Sequence, residues 1–324
     1  MKAIVYHQYG SPEVLKCEEI EKPTAGDDEV LIRVRAASVN PREWHFMRGA
    51  PYMIRIMTGL RRPETGRLGV DLAGQVEAVG RNVTQFQPGD EVFGAALGAF
   101  AEYVCAAENK LAFKPANLTF EQAAAVPTAA LTALQALRDK GRIQPGQRVL
   151  INGAAGGVGT FAVQVAKSFG ANVTGVCSTR NVDMVRSIGA DHVIDYTQED
   201  FTQGEQRYDL IFDCVGNRSL SACRRVLRSK GTLLIVGGSS KGNWLGPLLP
   251  LLKAIVMSPF VSQTLAPFLA RGSKPDLIVM KELLEAGKVT PVIDRTYPLS
   301  EVAEAIRYLE EGHARGKVII ATWT

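Results

Sequence analysis

The sequence predicts an α/β protein built from a mostly β N-terminal domain and a doubly wound parallel sheet. Three observations carry this reading. Residues 1 to 118 alternate short β-like runs with Gly, Pro and Asp turns and hold few helical signals. From residue 148 onward strand-like and helix-like runs alternate instead. At the start of that second part, the turn Asn152-Gly153-Ala154-Ala155-Gly156-Gly157-Val158-Gly159 joins the short run Arg148 to Asn152 to a Pro-free stretch, Val158 to Phe169, with an apolar face at helical spacing. With 324 residues, 46% of them hydrophobic, the chain is long enough to bury two cores.

In the first part, strands are expected at Val30 to Ala36, Gly74 to Val79, Glu91 to Phe93 and Glu102 to Cys105. Zinc needs Cys, His or carboxylate groups converging at about 2.0 to 2.3 Å. The four histidines, His7, His45, His192 and His313, lie far apart and pair with no cysteine at ligand spacing, so no metal is expected. Arg55, Arg61, Arg62 and Arg67 surround a Gly- and Pro-containing loop and read as a solvated surface, with the mouth of a substrate cleft as the second reading.

Phe120 to Ala124 begins a helix whose apolar face continues from Val126 through Leu137 towards Gly141. Strand and helix signals then alternate: Arg148 to Asn152, the helix from Val158, Asn172 to Ser178, a helix near Val182 to Ile188, His192 to Tyr196, Tyr208 to Val215, and Thr232 to Val236. In the glycine turn a diphosphate can lie against the backbone of Ala155, Gly156, Gly157 and Val158, because Gly lacks a side chain and the helix N-terminus presents N–H donors. The spacing departs by one residue from the G-x-G-x-x-G Rossmann fingerprint.

About twenty residues beyond such a turn an NAD-binding chain places a carboxylate for the adenosine ribose. Here stand Ser178-Thr179-Arg180-Asn181, whose hydroxyl and guanidinium suit a 2′-phosphate, so NADPH is the expected cofactor. The plainer reading makes Ser178 an N-cap and Arg180 a solvated charge.

The run Gly231 to Gly238 is expected to end the parallel order. Leu245 to Val261 is apolar but broken by Pro247, Pro250, Lys253 and Pro259, and falls short of the roughly 20 uninterrupted apolar residues of a membrane span. The insertion Gly242 to Ser262 reads as a cap over an apolar pocket, a subunit contact or extra core. A helix over Asp276 to Ala286, a strand over Val289 to Ile293 and a helix over Ser300 to Glu311 follow.

From Gly146-Gln147 through Leu150, the Ala-Ala-Gly-Gly run, Gln164 and Lys167, the glycine segment resembles the signature of the zinc-free quinone oxidoreductase and ζ-crystallin branch of the medium-chain dehydrogenase/reductase superfamily. Ser38-Val39-Asn40-Pro41, Gly69 to Val76, Val79-Gly80, Pro88 to Val92 and Ala101-Glu102-Tyr103 resemble, in that order, its GroES-like catalytic domain, and Gly312 to Ile320 its return to that domain. The resemblance implies a GroES-like catalytic domain at 1–122 and 272–324, and a Rossmann NADP-binding domain at 123–271. Zinc-dependent members carry Cys near the position of Asn40, and Gly-His-Glu where this chain has Gly69-Val70-Asp71, so those ligands are missing here.

The resemblance also places Asn40 at the nicotinamide, Thr132 near its ribose and Tyr196 near the 2′-phosphate. It sets Cys214, Val215 and Gly216 beside the cofactor ribose, Val236, Gly237 and Gly238 beside the nicotinamide amide, and Lys317 within reach of the cofactor. Each has a plainer reading: a turn Asn before Pro41, a helix Thr bonding its own backbone, strand-end turn chemistry, and for Lys317 a solvated charge.

A net charge of +4, scattered along the chain, gives no reason to expect nucleic acid. Five cysteines without a C-x-x-C pair fit a reducing compartment, and no leader precedes the first strand-like run, so a cytoplasmic protein or an already processed form is expected. The expected partners are a small apolar electrophilic substrate and, from the resemblance and from the expected sheet edge, a second copy in a homodimer.

The expected activity is NADPH-dependent, metal-independent hydride transfer to quinones or α,β-unsaturated carbonyls in an apolar cleft. Without a metal, a carbonyl gaining negative charge must be held by hydrogen-bond donors. Asn40 is the first candidate and Tyr52 the second, while Asp71 is expected to be structural. The alternative is a non-catalytic NADPH-binding protein of crystallin or scaffold type, because no unambiguous acid or base stands out.

Overall fold

The β-branched alternation of residues 29–39 produces the longest strand of the first unit. In the computed structural model, which describes residues 1–237 and 261–322, β1 (Lys2–Val5) pairs antiparallel with β2 (Lys16–Glu19). The long β3 (Glu29–Val39) buries Val30, Ile32 and Val34 on alternate positions. Its C-terminal end runs into α1 (Pro41–Arg48), where Pro41 sits at the first helical position and Gly49, at φ 56°, closes the other end in the left-handed region. A short α2 (Ile54–Thr58) follows, then β4 (Asp71–Val79), β5 (Glu91–Ala95), β6 (Tyr103–Ala107), β7 (Leu111–Phe113), α3 (Phe120–Ala124) and α4 (Pro127–Gln135).

Contacts divide the chain into one unit of Met1–Leu131, Gly272–Glu285 and Pro291–Thr324, and another of Thr132–Arg271 and Ala286–Thr290. The division falls at Leu131, beyond the boundary expected after residue 122.

The second unit alternates strand and helix: β8 (Arg148–Asn152), α5 (Gly157–Ser168), β9 (Asn172–Cys177), α6 (Val182–Ser187), β10 (His192–Asp195), β11 (Tyr208–Asp213), α7 (Leu220–Arg225), β12 (Leu227–Ile235) and β13 (Thr264–Pro267). The strands are parallel in the order β10-β9-β8-β11-β12-β13, so the direction of winding reverses between β8 and β11. Contrary to expectation, the run Gly231 to Gly238 does not end this order. β12 is interior and β13 lies outside it, with Thr232 opposite Thr264 and Ile235 opposite Pro267. An outermost strand tolerates Pro267 because only one of its sides joins the ladder. Gly238 and residues 242–260 of the expected insertion lie outside the described residues.

β14 (Ile293–Pro298) and β15 (Lys317–Ala321) return to the first unit, whose sheet reads β14-β15-β3-β4-β5-β7 with β6 also paired to β3. The strand expected at Val289 to Ile293 is displaced towards the C-terminus. Gln164 holds that stretch instead: its Oε1 accepts from the Thr290 N–H (2.7 Å) and its Nε2 donates to the Thr290 carbonyl (3.0 Å). Among the described residues no helix is long and apolar enough to cross a membrane.

Candidate active site

Register assembles the first group of candidate residues. Ser38 stands opposite Asp71 across β3 and β4, and Val39 opposite Val318 across β3 and β15, which brings Asn40, Asp71 and Lys317 to one end of the sheet. Asp71 is fully buried and accepts hydrogen bonds from Ser38 Oγ (3.2 Å), Asn40 Nδ2 (3.1 Å), and the Thr128 hydroxyl (2.6 Å) and N–H (3.2 Å). Lys317 Nζ donates to Asn40 Oδ1 (2.6 Å) and the Val39 carbonyl (3.3 Å) and lies 3.9 Å from Asp71 Oδ2. The reading of Lys317 as a solvated charge is overturned, since the residue is 3% exposed and its ammonium is ringed by acceptors. Asn40 does occupy the N-cap position of α1, but its side chain turns to Asp71 and the Ser38 carbonyl rather than to the helix N–H groups.

Glu43 completes this cluster. Its Oε2 accepts from the Asn40 N–H (2.7 Å), while the buried Oε1 has no hydrogen-bond partner. Burial, reinforced by the Asp71 carboxylate, pushes its carboxyl up to about 7. Burial likewise pulls the Lys317 ammonium below its ordinary range, against the opposing pull of Asp71 and Glu43. Sequence reasoning missed Glu43 and Thr128. For Glu43 a signal existed, because Asn40-Pro41-Arg42-Glu43 has the spacing of an N-cap and its third helical residue. Nothing local marks Thr128 as the partner of a residue 57 positions earlier.

The half-buried ring of Tyr52 lies 4.9 Å from the Arg55 guanidinium carbon. Arg55, expected on a solvated surface, also covers Tyr9 at 4.6 Å and donates to the Gly49 carbonyl at 3.0 Å. Arg61 and Arg62 are exposed as expected.

The second group lies at the carboxyl ends of the parallel strands. Gly156 caps α5, and Gly153 takes φ 85° to make the turn. A Cβ on Gly159 would stand 2.0 Å from the Gly153 carbonyl oxygen, so the first turn of α5 rests directly on the glycine turn. The N–H groups of Gly157, Val158 and Gly159 have no partner within the helix by its geometry, an arrangement that suits an anion.

Asp213, at the end of β11, organises the neighbouring turn. Its Oδ1 accepts from Asn152 Nδ2 (2.9 Å), Val215 N–H (3.0 Å) and Gly216 N–H (2.9 Å). Its carbonyl accepts from both Val236 and Gly237 at 3.0 Å. A Cβ on Gly237 would lie 1.9 Å from the Cys214 carbonyl oxygen, so this approach of two strand ends admits only glycine. Burial, and then Asp213, push the Cys214 thiol above its ordinary range. Thus the turns carrying Ala155 to Val158, Cys214 to Gly216 and Val236-Gly237 converge where the winding reverses.

At the neighbouring strand ends, Asp195 of β10 stands opposite Cys177 of β9, so Ser178 and Tyr196 follow the paired residues on the two strands. Tyr196 is half-exposed, with its N–H on the Cys177 carbonyl (3.0 Å). Ser178 stands at the N-cap of the turn Thr179–Asn181 without a side-chain cap bond, its hydroxyl receiving Asn181 Nδ2 (3.1 Å) instead, while Arg180 is exposed. Thr132 is buried in α4. Among the described residues no group of three or more His, Cys, Asp and Glu side chains is arranged to hold a metal ion.

A sheet of this winding with glycine turns at its switch point, joined to an antiparallel sheet domain carrying a buried polar cluster, defines a pyridine-nucleotide oxidoreductase of the medium-chain dehydrogenase/reductase kind. Residues 26–116 match the family model described as alcohol dehydrogenase GroES-like domain, and residues 188–320 the one described as zinc-binding dehydrogenase. The chain is 36% identical to the mitochondrial NAD(P)H oxidoreductase RTN4IP1 of Mus musculus, over 99% of this chain and 89% of that protein. It is 34% identical to the chloroplastic NADPH-dependent alkenal/one oxidoreductase of Arabidopsis thaliana, over 99% and 79% respectively. The solved quinone oxidoreductase of Coxiella burnetii superposes with a TM-score of 0.88 at 32% identity, covering 100% of this chain and 99% of that one. The chain belongs to the quinone oxidoreductase branch of the medium-chain dehydrogenase/reductase superfamily.

Proposed function

We propose that the protein is an NAD(P)H-dependent reductase of quinones or α,β-unsaturated carbonyls, with NADPH preferred. The convergence of the three strand-end turns carries this reading, because the Gly159 and Gly237 contacts leave backbone where side chains would otherwise stand. The names of the Arabidopsis thaliana and Coxiella burnetii relatives, an NADPH-dependent alkenal/one oxidoreductase and a quinone oxidoreductase, support the substrate class. When bound, NADPH supplies the hydride. The first-turn N–H groups of α5 hold its diphosphate; Ser178 and Arg180, in a segment Ser178-Thr179-Arg180-Asn181 that itself holds no carboxylate, take the 2′-phosphate, and Tyr196 flanks it. Cys214 to Gly216, Val236, Gly237 and Thr132 line the ribose and nicotinamide, and the family resemblance assigns Asn40 and Lys317 to the cofactor as well.

Purified protein supplied with NADPH should oxidise it in the presence of quinones or 2-alkenals faster than the uncatalysed reaction; oxidation at the uncatalysed rate across the panel would leave a non-catalytic NADPH-binding role. In the same preparation, Arg180→Ala should weaken NADPH by roughly ten- to a hundredfold, the loss of a charged hydrogen bond of about 1.5–3 kcal/mol, with little change for NADH. Equal losses for both cofactors would remove Arg180 from the 2′-phosphate site.

We also propose a homodimer. Its support lies in β13, which presents an outer strand of the sheet, and in Leu269 just beyond it, 89% exposed. Light scattering at micromolar concentration should give twice 35.1 kDa, and a mass near 35.1 kDa itself would defeat the proposal. The five free cysteines support work in a reducing compartment such as the cytoplasm.

A further inference from the structure

Asn40 was expected to donate a hydrogen bond to a substrate oxygen, and its surroundings decide whether it can. An ammonium group has three donors and no acceptor, so the atom of Asn40 that lies 2.6 Å from Lys317 Nζ is the amide oxygen. Asp71 accepts from Ser38 and from both donors of Thr128 and lies near Lys317, so its oxygens face donors on every side. The atom of Asn40 that faces Asp71 at 3.1 Å is therefore the NH2 group. The flip of the amide is dictated from both sides.

An amide NH2 carries two hydrogens. One goes to Asp71 and the other points to the Ser38 carbonyl at 3.4 Å. The oxygen has two lone pairs, and Lys317 occupies one. We propose that Asn40 meets its ligand as a hydrogen-bond acceptor, through the remaining lone pair of Oδ1, and that Lys317 and Asp71 are the positioning residues that fix it so. This rests on the reading of Asn40 as a site residue. The ligand group it suits is a donor, such as a carboxamide N–H or a ribose hydroxyl. A carbonyl oxygen that gains negative charge is the one kind of partner it cannot help, so polarisation of the substrate falls to other donors.

Exchanging the two residues tests this. The double variant Asn40→Asp, Asp71→Asn keeps an acceptor at position 40, restores a complementary pair between 40 and 71, and leaves Lys317 a carboxylate, but removes every N–H from the side chain at 40. Asn40→Asp alone sets two carboxylates against each other and should lower kcat/KM by about tenfold or more. The exchange should recover most of that loss, with NADPH affinity, read by fluorescence titration, returning in parallel. A double variant that melts like the wild type and binds NADPH, yet is as inactive as Asn40→Ala, would show that the N–H was needed and overturn the proposal.

The unsubstituted protein gives a second arm that does not depend on folding of the variants. Both Nδ2 hydrogens of Asn40, assigned in an amide NMR spectrum by their loss in Asn40→Asp, should exchange slowly with and without NADPH. Exchange of either at the solvent rate would overturn the assignment as well. This arm and the NADPH titration remain decisive if no quinone or enone is turned over, so failure of the activity reading and failure of the acceptor reading are told apart.

Discussion

Lys317→Met should lower folding stability by about 3–5 kcal/mol, the usual consequence of removing one partner from a buried charged group. Met has nearly the volume of the Lys stem, so packing changes little; what is lost is the donor to Asn40 Oδ1 and Val39 and the cation beside Asp71. Asp71, fully buried, is then left with neutral donors alone. Urea unfolding should show a lower midpoint at unchanged slope. Adding Asp71→Leu to this variant should return part of the loss, since the uncompensated carboxylate goes with it. A single-variant loss below about 1 kcal/mol would mean that water reaches the ammonium and that its ion pairing contributes little.

Glu43→Gln should stabilise the protein at neutral and alkaline pH and leave it unchanged in acid. Below the ordinary carboxyl value of 4.5 the side chain is protonated in the folded and unfolded chain alike, and no penalty exists. As pH rises towards about 7, the unfolded chain loses this proton while the buried carboxyl, raised by desolvation and by Asp71, keeps it, so stability falls. Above about 7 the folded chain must hold the ionised carboxylate, and the penalty is complete, on the order of 3 kcal/mol. The amide introduced by the substitution would still accept the Asn40 N–H and never ionise. The stability gap between variant and wild type should therefore be near zero at pH 4.5 and grow to a plateau above about 7. A gap that stays constant with pH would show that Glu43 does not titrate in this range.

What could be read in advance was local. The glycine turn, its strand and its helix occupy adjacent residues, and Gly153, Gly156 and Gly159 mark the turn through requirements that a sequence carries on its face. The missing carboxylate after β9 is legible for the same reason. Lys317 was misread because its partners, Asn40 and Asp71, stand 277 and 246 positions earlier (317 − 71 = 246), and a lone Lys between Gly316 and Val318 gives no hint of them. β13 escaped notice because four residues ending in proline, following an apolar run, carry no alternation of their own. The misplaced strand near Val289 has a different cause: Val289 is buried, as expected of a strand residue, but its neighbour Thr290 is claimed by a glutamine side chain in place of a ladder.

The pairing of β15 with both β3 and β14 has a consequence for how the protein is made. On the ribosome the second unit is almost entirely present once Arg271 has emerged, whereas the first unit waits for residues near its far end. Until then Asp71 and Glu43 have no cation to enter the interior with, and β3 lacks the neighbour on one side. β15 therefore brings both the missing ladder and the missing charge. A nascent chain that still lacks β15 keeps Asp71 without its cation and in water.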